Sequence, residues 1–401
     1  MWSGETLDAE DAIALQLPPP AFLDEQTIVL NGADAGLEVA TIQTLRELAR
    51  RVSDDTNLRD IAVAAHTALF DTAVDAAEAL QAAESAFGDA AGMLHALFVL
   101  DSLRLIRERQ AARGAPASLA RAVFARHGGS WLHTAEARGD IGSVDWIPGW
   151  LRTVASGHMY RLGRLEFVPV AFEYPQRVYR HVRTGEVVAL FEAGEPFSDE
   201  GVQVGIHTWT STFVEADDGI VGTPIHPRGN ALRQVVRLPR DEWRLVLKSG
   251  APVLDLHVPG EGPLTVDSLR DAQVEAAAFF DRYYPEHPFV AYICDSWLFS
   301  PLLEEMLGPD SNIVRWQREG YLMPDDSQGE GMLEFTFGSA QIDTATAPRD
   351  TRLRRALLAH LEQGRSLSCG RYLFLREDLE RFGSQPYREA SARVIERLTV
   401  A

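Results

Sequence analysis

Lysine, cysteine and long apolar runs are scarce in this chain of 401 residues. Lys248 is the single lysine among 38 basic residues, which face 58 acidic ones and leave a net charge of −20. Such a charge repels the phosphates of nucleic acids, and no concentrated basic face offsets it, so we expect no nucleic-acid partner. Residues 1–140 carry 21 acidic against 11 basic side chains, a surplus typical of the solvated outer face of a helical bundle.

The two cysteines, Cys294 and Cys369, are too few for a disulfide framework. No uncharged apolar stretch reaches the length of about 18 residues that a membrane span needs, and no histidine or cysteine spacing is typical of a metal site. Residues 1–20 combine acidic side chains with three prolines, whereas a signal peptide has a basic start and an apolar core. We therefore expect a cytoplasmic protein with no membrane association and no catalytic metal.

Hydrophobic periodicity divides the chain near residue 150. Within residues 1–140, apolar residues recur on one helical face, as at Val39, Ile42 and Leu45. Glycine and proline then punctuate residues 128–149, and short runs rich in β-branched and aromatic residues follow. The sequence predicts an α+β fold, with a helical N-terminal domain at residues 1–150 and a domain of mixed strands and helices at residues 151–401.

The predicted strands of the second domain are short apolar runs between glycine, proline and aspartate residues. They cover residues 165–172, 178–191, 233–238, 252–258, 289–294, 313–316 and 332–337. Helices are predicted after residue 265, where Leu269, Ala276 and Phe280 share one side, and at residues 352–362.

The strongest local feature is the stretch 254–265, which reads Leu-Asp-Leu-His-Val-Pro-Gly-Glu-Gly-Pro-Leu-Thr. A strand that ends in a glycine loop and opens a helix presents free backbone N–H groups and the positive end of the helix dipole, which suits a phosphate or pyrophosphate. A plain structural turn is the alternative, because the loop lacks both the Gly-Lys-Ser/Thr of a Walker loop and the third glycine of a Rossmann fingerprint.

Candidate catalytic side chains lie at the ends of two predicted strands. His257 shares a strand face with Asp255, and a histidine beside a loop is suited either to general base catalysis or to a half-buried structural role. Cys294 and Ser296 lie where the next strand passes into a helix, a position that often carries nucleophiles and acids. A buried thiol and a helix cap are the structural alternatives there.

Several segments taken together resemble a bacterial family of acyltransferases. They are Leu162-Gly163-Arg164-Leu165-Glu166-Phe167, Gly222-Thr223-Pro224-Ile225 with Pro227-Arg228-Gly229, Leu256-His257-Val258-Pro259, Cys294-Asp295-Ser296-Trp297-Leu298 and Ser311-Asn312-Ile313. The similarity covers about residues 20–365. It implies a helical N-terminal domain followed by a GNAT-like domain. The GNAT-like domain is a mixed β-sheet flanked by helices, and the central strands of this sheet separate to admit acyl-CoA.

The resemblance implies transfer of an acyl group from acyl-CoA or acetyl-CoA to a small-molecule acceptor, which we expect to be an amine. His257 is then the base, directly or through water, and Cys294 or Ser296 protonates the leaving thiolate. His257 also occupies the first position of the family's phosphate loop, where the family has glutamine or arginine, so two roles compete for it. The pyrophosphate is expected on the backbone of Val258, Gly260, Gly262, Leu264 and Thr265.

Two other functions stay open at this stage. Cys294 activated by His257 would form an acyl-enzyme that is hydrolysed or passes its acyl group on. The second domain would otherwise be a non-catalytic module that binds acyl-CoA or another ligand on a GNAT scaffold. Three features favour this last function. Glu261 places a negative charge in the loop, Pro263 has no backbone N–H to donate, and no tyrosine lies in the helix after Cys294.

Overall fold

The computed structural model describes residues 20–70, 76–144 and 146–399. The prediction that the chain lacks a signal peptide rests on residues that lie outside this described part. Contacts divide the chain into two compact units, Met1–His158 and Met159–Ala401. The boundary predicted near residue 150 falls inside the last helix of the first unit, Pro148–Ala155.

The first unit is built from helices, as its apolar periodicity predicts. They are α1 (Glu25–Ala35), α2 (Val39–Asp54), α3 (Thr56–Phe70), α4 (Ala77–Phe87), α5 (Ala91–Ala112), α6 (Ala117–Phe124), α7 (Ser130–Ala137) and α8 (Pro148–Ala155). A π-helical turn, Ala125–Gly129, connects α6 to α7.

Helix α5 forms the centre of this unit, because its side chains from Leu94 to Leu103 are all buried. The buried carboxylate of Asp101 within this core is paired, as buried charge requires: it contacts His66 Nε2 at 3.0 Å and accepts hydrogen bonds from Arg104. Val39 shares the predicted apolar face with Ile42 and Leu45 but is 80% exposed, because it is the first residue of α2 and lies beyond the packed turns.

One helical stretch of the described chain, Ala77–Ala112, is long and apolar enough to cross a membrane by length and composition. The most apolar window of that stretch is 56% buried within the protein. Core helices commonly pass the same test, so this stretch is weak evidence for a membrane span.

The described residues of the second unit form four β-sheets. The largest has the strand order β1-β2-β13-β14-β16-β15, and the others are β10-β9-β4-β3-β12, β11-β8-β7 and β5-β6. The strands are β1 (Tyr160–Leu162), β2 (Leu165–Ala171), β3 (Gln176–His181), β4 (Val187–Phe191), β5 (Pro196–Phe197), β6 (Trp209–Thr210), β7 (Phe213–Ala216), β8 (Gly219–Gly222), β9 (Pro224–His226), β10 (Asn230–Ala231), β11 (Val236–Pro239), β12 (Trp243–Leu247), β13 (Pro252–His257), β14 (Ala291–Ser296), β15 (Tyr321–Gln328) and β16 (Ser368–Leu375).

Helices flank these sheets. They are α9 (Val266–Tyr283), α10 (Leu302–Leu307), α11 (Asn312–Glu319), α12 (Glu330–Phe337), α13 (Arg352–Glu362) and α14 (Arg388–Leu398). The strands predicted at residues 313–316 and 332–337 were wrong, since both runs lie in helices, α11 and α12. Their apolar residues are spaced for a helical face that buries Trp316 and Met332. The α+β prediction is confirmed.

The close approach of α5 to the loop before α8 gives a stability prediction. A Cβ added at Gly92 would lie 1.6 Å from the carbonyl oxygen of Gly142, so Gly92→Ala forces the backbone to move. We expect it to destabilise the helical unit by about 1–3 kcal/mol, the usual cost of overpacking. Gly149→Ala is the matched control, because nothing lies within 4 Å of its added Cβ. Urea unfolding followed by circular dichroism measures both variants, and equal midpoints would contradict the prediction.

Candidate active site

The central parallel strands, β13 and β14, diverge toward their carboxyl ends. In the described structure they pair at three positions, where Val253, Leu254 and Asp255 face residues 291–293. Strand β13 nevertheless continues beside β2 as far as His257, and β14 continues beside β16 as far as Ser296. Beyond Asp255, a gap therefore lies between the facing edges of the two strands. Both edges present backbone N–H and C=O groups to this gap.

One face of the diverging strands is polar. Asp255 is in register with Ile293, so the alternation of side chains places Asp255 and His257 on the same face as Asp295. His257 Nε2 lies 3.4 Å from Asp255 Oδ2. Burial, together with the neighbouring Asp295 carboxylate, raises the pKa of Asp255 to about 7. A pair with such a carboxyl is able to take up a proton near neutral pH.

The opposite face is packed against helix α9. Tyr292 on this face donates a hydrogen bond to the main-chain oxygen of Gln273 at 2.7 Å. Cys294 follows Tyr292 by two residues and therefore shares its face. The structure thus does not bring Cys294 and His257 together as a nucleophile and its base.

Cys294 is buried, with 3% of its surface exposed. Burial raises the pKa of its thiol well above the ordinary value, and the carboxylates of Asp255 and Asp295 add to the effect. Because the thiolate is the reactive form of cysteine, this environment favours an inert thiol. Ser296 is half-buried, and its Oγ accepts a hydrogen bond from the Leu298 N–H at 3.2 Å, which caps the short helical turn Trp297–Phe299.

A buried arginine that sequence reasoning missed organises the neighbouring polar groups. Arg371 on β16 lies opposite Asp295 in the sheet, and its Nε is 2.6 Å from Asp295 Oδ1. Its Nη2 is 2.7 Å from Asp325 Oδ2, and its Nη1 donates to Gln176 Oε1 at 3.2 Å. The guanidinium also lies over the ring of Tyr174, 3.4 Å from the centroid. Arg371 therefore connects strands β3, β14, β15 and β16.

These groups form part of the wall of a cavity of about 350 Å³. Its acidic lining residues are Glu173, Glu195, Asp295, Asp325 and Asp326, and the amides of Gln176 and Gln203 also contribute. Among the described residues of the lining, Arg371 is the single basic one. Carboxylates in such excess favour a cationic ligand.

Burial raises the pKa of Asp295, although Arg371 opposes the shift. The Tyr174 hydroxyl donates a hydrogen bond to Asp295, and burial raises the pKa of this tyrosine. Asp295 lies both in the cavity wall and near the end of β14. It therefore connects the cavity to the gap between the diverging strands.

The loop between β13 and α9 is held by two arginines. Arg161 Nη1 pairs with Glu261 Oε1 at 2.6 Å. Arg164 donates to the main-chain oxygens of Gly262 and Pro263 at 3.0 and 3.2 Å. Gly262 has a φ of +78°, a conformation that favours glycine. The negative charge of Glu261, which argued against a phosphate site, is thus compensated locally.

The loop ends at the first turn of α9. Thr265 caps this helix, and its Oγ1 accepts a hydrogen bond from the Ser268 N–H at 3.2 Å. The residues predicted as a pyrophosphate cradle are exposed or half-buried in the described structure, and they are Val258, Gly260, Gly262, Leu264 and Thr265. A helix N-terminus of this kind favours an anion.

Comparison with known proteins gives one family and a set of solved structures. Residues 159–373 match the model of a family described as a GNAT-like C-terminal domain, and the match begins at the first residue of the second unit. No curated protein matches the chain. Among the described residues, no three histidine, cysteine, aspartate or glutamate side chains form a group that would hold a metal ion.

Two of the similar structures are crystal structures of acyltransferases. One is a mutant acyltransferase in complex with octanoyl-CoA, with a TM-score of 0.55, 20% identity, and coverage of 87% of this chain and 88% of the other. The second is an acyltransferase in complex with decanoyl-CoA and teicoplanin, with a TM-score of 0.51, 21% identity, and coverage of 88% and 99%. At these identities the likeness establishes the fold.

The environments of the two thiols predict unequal reactivity. Cys369 is half-buried, and burial raises the pKa of its thiol to about 11, so we expect iodoacetamide to alkylate it slowly at pH 8. Cys294 should react only after unfolding in urea, because the native fold shields it. Peptide mass spectrometry measures both sites. Alkylation of Cys294 in the native protein, at a rate equal to that of Cys369, would show that its burial does not control its reactivity.

Proposed function

The chain belongs to the family of the GNAT-like C-terminal domain, and from this membership we propose that it transfers an acyl group from acyl-CoA to a small-molecule amine. The observation that carries the proposal is the divergence of β13 and β14, which pair only as far as Asp255. Such a gap accommodates an extended thioester donor. The amide groups of the donor form hydrogen bonds with backbone groups on the two separated strand edges, which do not bond to each other.

The donor's phosphates are assigned to the loop between β13 and α9. Backbone N–H groups at Gly260, Gly262 and Leu264, together with the first turn of α9, would hold the pyrophosphate. Arg164 adds positive charge beside this loop, whereas the charge of Arg161 is balanced by Glu261. These local groups offset the overall negative charge of the chain, which by itself opposes an anionic donor.

The acceptor is assigned to the cavity beside Asp295. Its acidic lining supports a cationic amine, and its volume of about 350 Å³ suits a small molecule or the end of a larger one. Teicoplanin is bound by one of the structurally similar acyltransferases, so an acceptor other than a simple metabolite is consistent with this fold.

In the proposed reaction the bound ammonium first gives one proton to the Asp255–His257 pair. The neutral amine nitrogen then attacks the thioester carbonyl carbon, the N–C bond forms and the C–S bond breaks. The second proton of the nitrogen reaches the leaving thiolate through the Ser296 hydroxyl or a water molecule, which takes up this proton as it donates its own, and the Asp255–His257 pair releases the first proton to solvent. Ser296 is preferred to Cys294 because its Oγ–H is available to donate while its oxygen accepts from Leu298, whereas the Cys294 thiol is buried.

The donor site is tested by a charge placed at the cap of α9. Aspartate and asparagine both cap helices and have the same shape, so Thr265→Asp and Thr265→Asn differ only in charge. We expect Thr265→Asp to weaken binding of acetyl-CoA and longer acyl-CoAs by about tenfold at low salt, and Thr265→Asn to change it by less than about twofold. Isothermal calorimetry measures the affinities. Equal affinities, or no binding of any acyl-CoA to the native protein, would contradict this assignment.

The proton acceptor is tested by the pH dependence of kcat/KM, with release of CoA thiol as the assay. A base must be unprotonated to act, and the pKa of Asp255 is about 7, so activity should rise with pH up to about 7 and then level off. Asp255→Asn should remove this rise and lower kcat by about 10²- to 10⁴-fold. His257→Gln should cost a similar factor, and the double variant little more, because the two residues act as one unit.

Asp241→Asn is the control, since Asp241 is exposed in the turn between β11 and β12. Additive losses in the double variant would show that Asp255 and His257 act separately. Donor binding without thiol release for any amine tried would favour the non-catalytic binding module instead.

A further inference from the structure

Gln176, the first residue of β3, is part of the wall of the acidic cavity. It is 1% exposed. Its Oε1 accepts the hydrogen bond from Arg371, but its Nε2 has no hydrogen-bond partner among the described residues. The other glutamine of the wall differs in this respect, because Gln203 Nε2 donates to Glu195 Oε2 at 3.2 Å.

Arg371 decides which end of the Gln176 amide remains unpaired. A guanidinium has donors only, so it bonds to the amide oxygen and leaves the amide NH₂ on the other side. The guanidinium is itself held by Asp295 and Asp325, and it is therefore not free to release the amide. The Gln176 NH₂ is consequently a fixed donor.

An unpaired buried donor costs free energy that a bound acceptor atom recovers. The ammonium group of an amine cannot supply that atom, because it has only donors and is attracted instead to the carboxylates of the wall. The cavity therefore presents two different requirements, a positive charge near its carboxylates and an oxygen near Gln176.

We propose that Gln176 is a specificity-determining residue that selects acceptors carrying a hydrogen-bond-accepting oxygen near the reacting amine. A ring ether, a carbonyl or a hydroxyl meets this requirement, whereas a simple alkylamine does not. The inference rests on the proposed function, since it takes the cavity as the acceptor site. It adds the class of acceptor, an oxygenated amine.

The test compares two amines that differ by one atom, cyclohexylmethylamine and its ring-ether counterpart tetrahydropyran-2-ylmethylamine. Their dissociation constants are measured by ligand-observed NMR titration of the full chain without any acyl donor. In Gln176→Met, which removes the amide but keeps the side-chain length, the ratio of the two constants should shift by about three- to tenfold against the ether. The amines' different basicity and hydrophobicity cancel in this comparison.

Gln176→Glu serves as a second variant, because it retains an oxygen for Arg371 and removes the donor. The negative charge that it adds acts on the ammonium group of both amines alike and therefore cancels in the ratio. It should shift the ratio in the same direction, so a folding defect of Gln176→Met does not decide the outcome. Gln203→Met is the matched control, and it should alter the affinity of both amines alike because the Gln203 amide nitrogen is already bound to Glu195.

An unchanged ratio in both Gln176 variants, or an equal shift in Gln203→Met, would overturn the inference. So would the absence of saturable binding of either amine to the native protein. Binding of acyl-CoA and release of its thiol are measured separately with the same proteins. Failure of those two measurements contradicts the proposed function. An unchanged ratio of the amine dissociation constants, by contrast, contradicts only the role of Gln176.

Discussion

The candidate site depends on one buried guanidinium. Arg371 is 3% exposed and meets the side chains of Asp295, Asp325 and Gln176. A charge withdrawn from water needs several partners, and the planar fork of arginine reaches carboxylates on two different strands at once. This arrangement holds two like charges near each other and fixes the wall of the cavity. Loss of the guanidinium would leave the buried carboxylate of Asp325 and the partly accessible one of Asp295 without compensation, a larger change than the loss of one surface ion pair.

The pleat of the central sheet places the candidate catalytic side chains on one face and the tightly packed side chains on the other. Side chains of one face, Asp255, His257 and Asp295, are polar and partly accessible, whereas Cys294 and Tyr292 on the other face are buried beside α9. Two residues that neighbour each other in sequence, such as Cys294 and Asp295, thus occupy different environments. The same alternation accounts for an inert thiol next to a carboxylate whose pKa burial raises.

Local patterns predicted the α+β architecture and the strand, loop and helix around His257, because these depend on periodicity and on glycine and proline. They failed at residues 313–316 and 332–337, where a short apolar run fits a strand or a helix equally well. Local patterns could not identify Arg371, because only the long-range pairing of β14 with β16 brings it opposite Asp295. They could identify Asp255, because the alternation of side chains along a strand already placed it beside His257.

The walls of the cavity come from different parts of the chain than the strands β13 and β14 that border the gap. Residues 173–176, 195–203 and 325–327 supply most of the lining, and within that lining only Asp295 belongs to the diverging strands. A change in these three segments leaves β13 and the loop after it untouched. If the cavity is the acceptor site, as we propose, acceptor preference in this architecture is therefore a modular property. Related chains can diverge in what they modify while they keep one way of holding the donor, and an engineer can exchange the segments on the same principle.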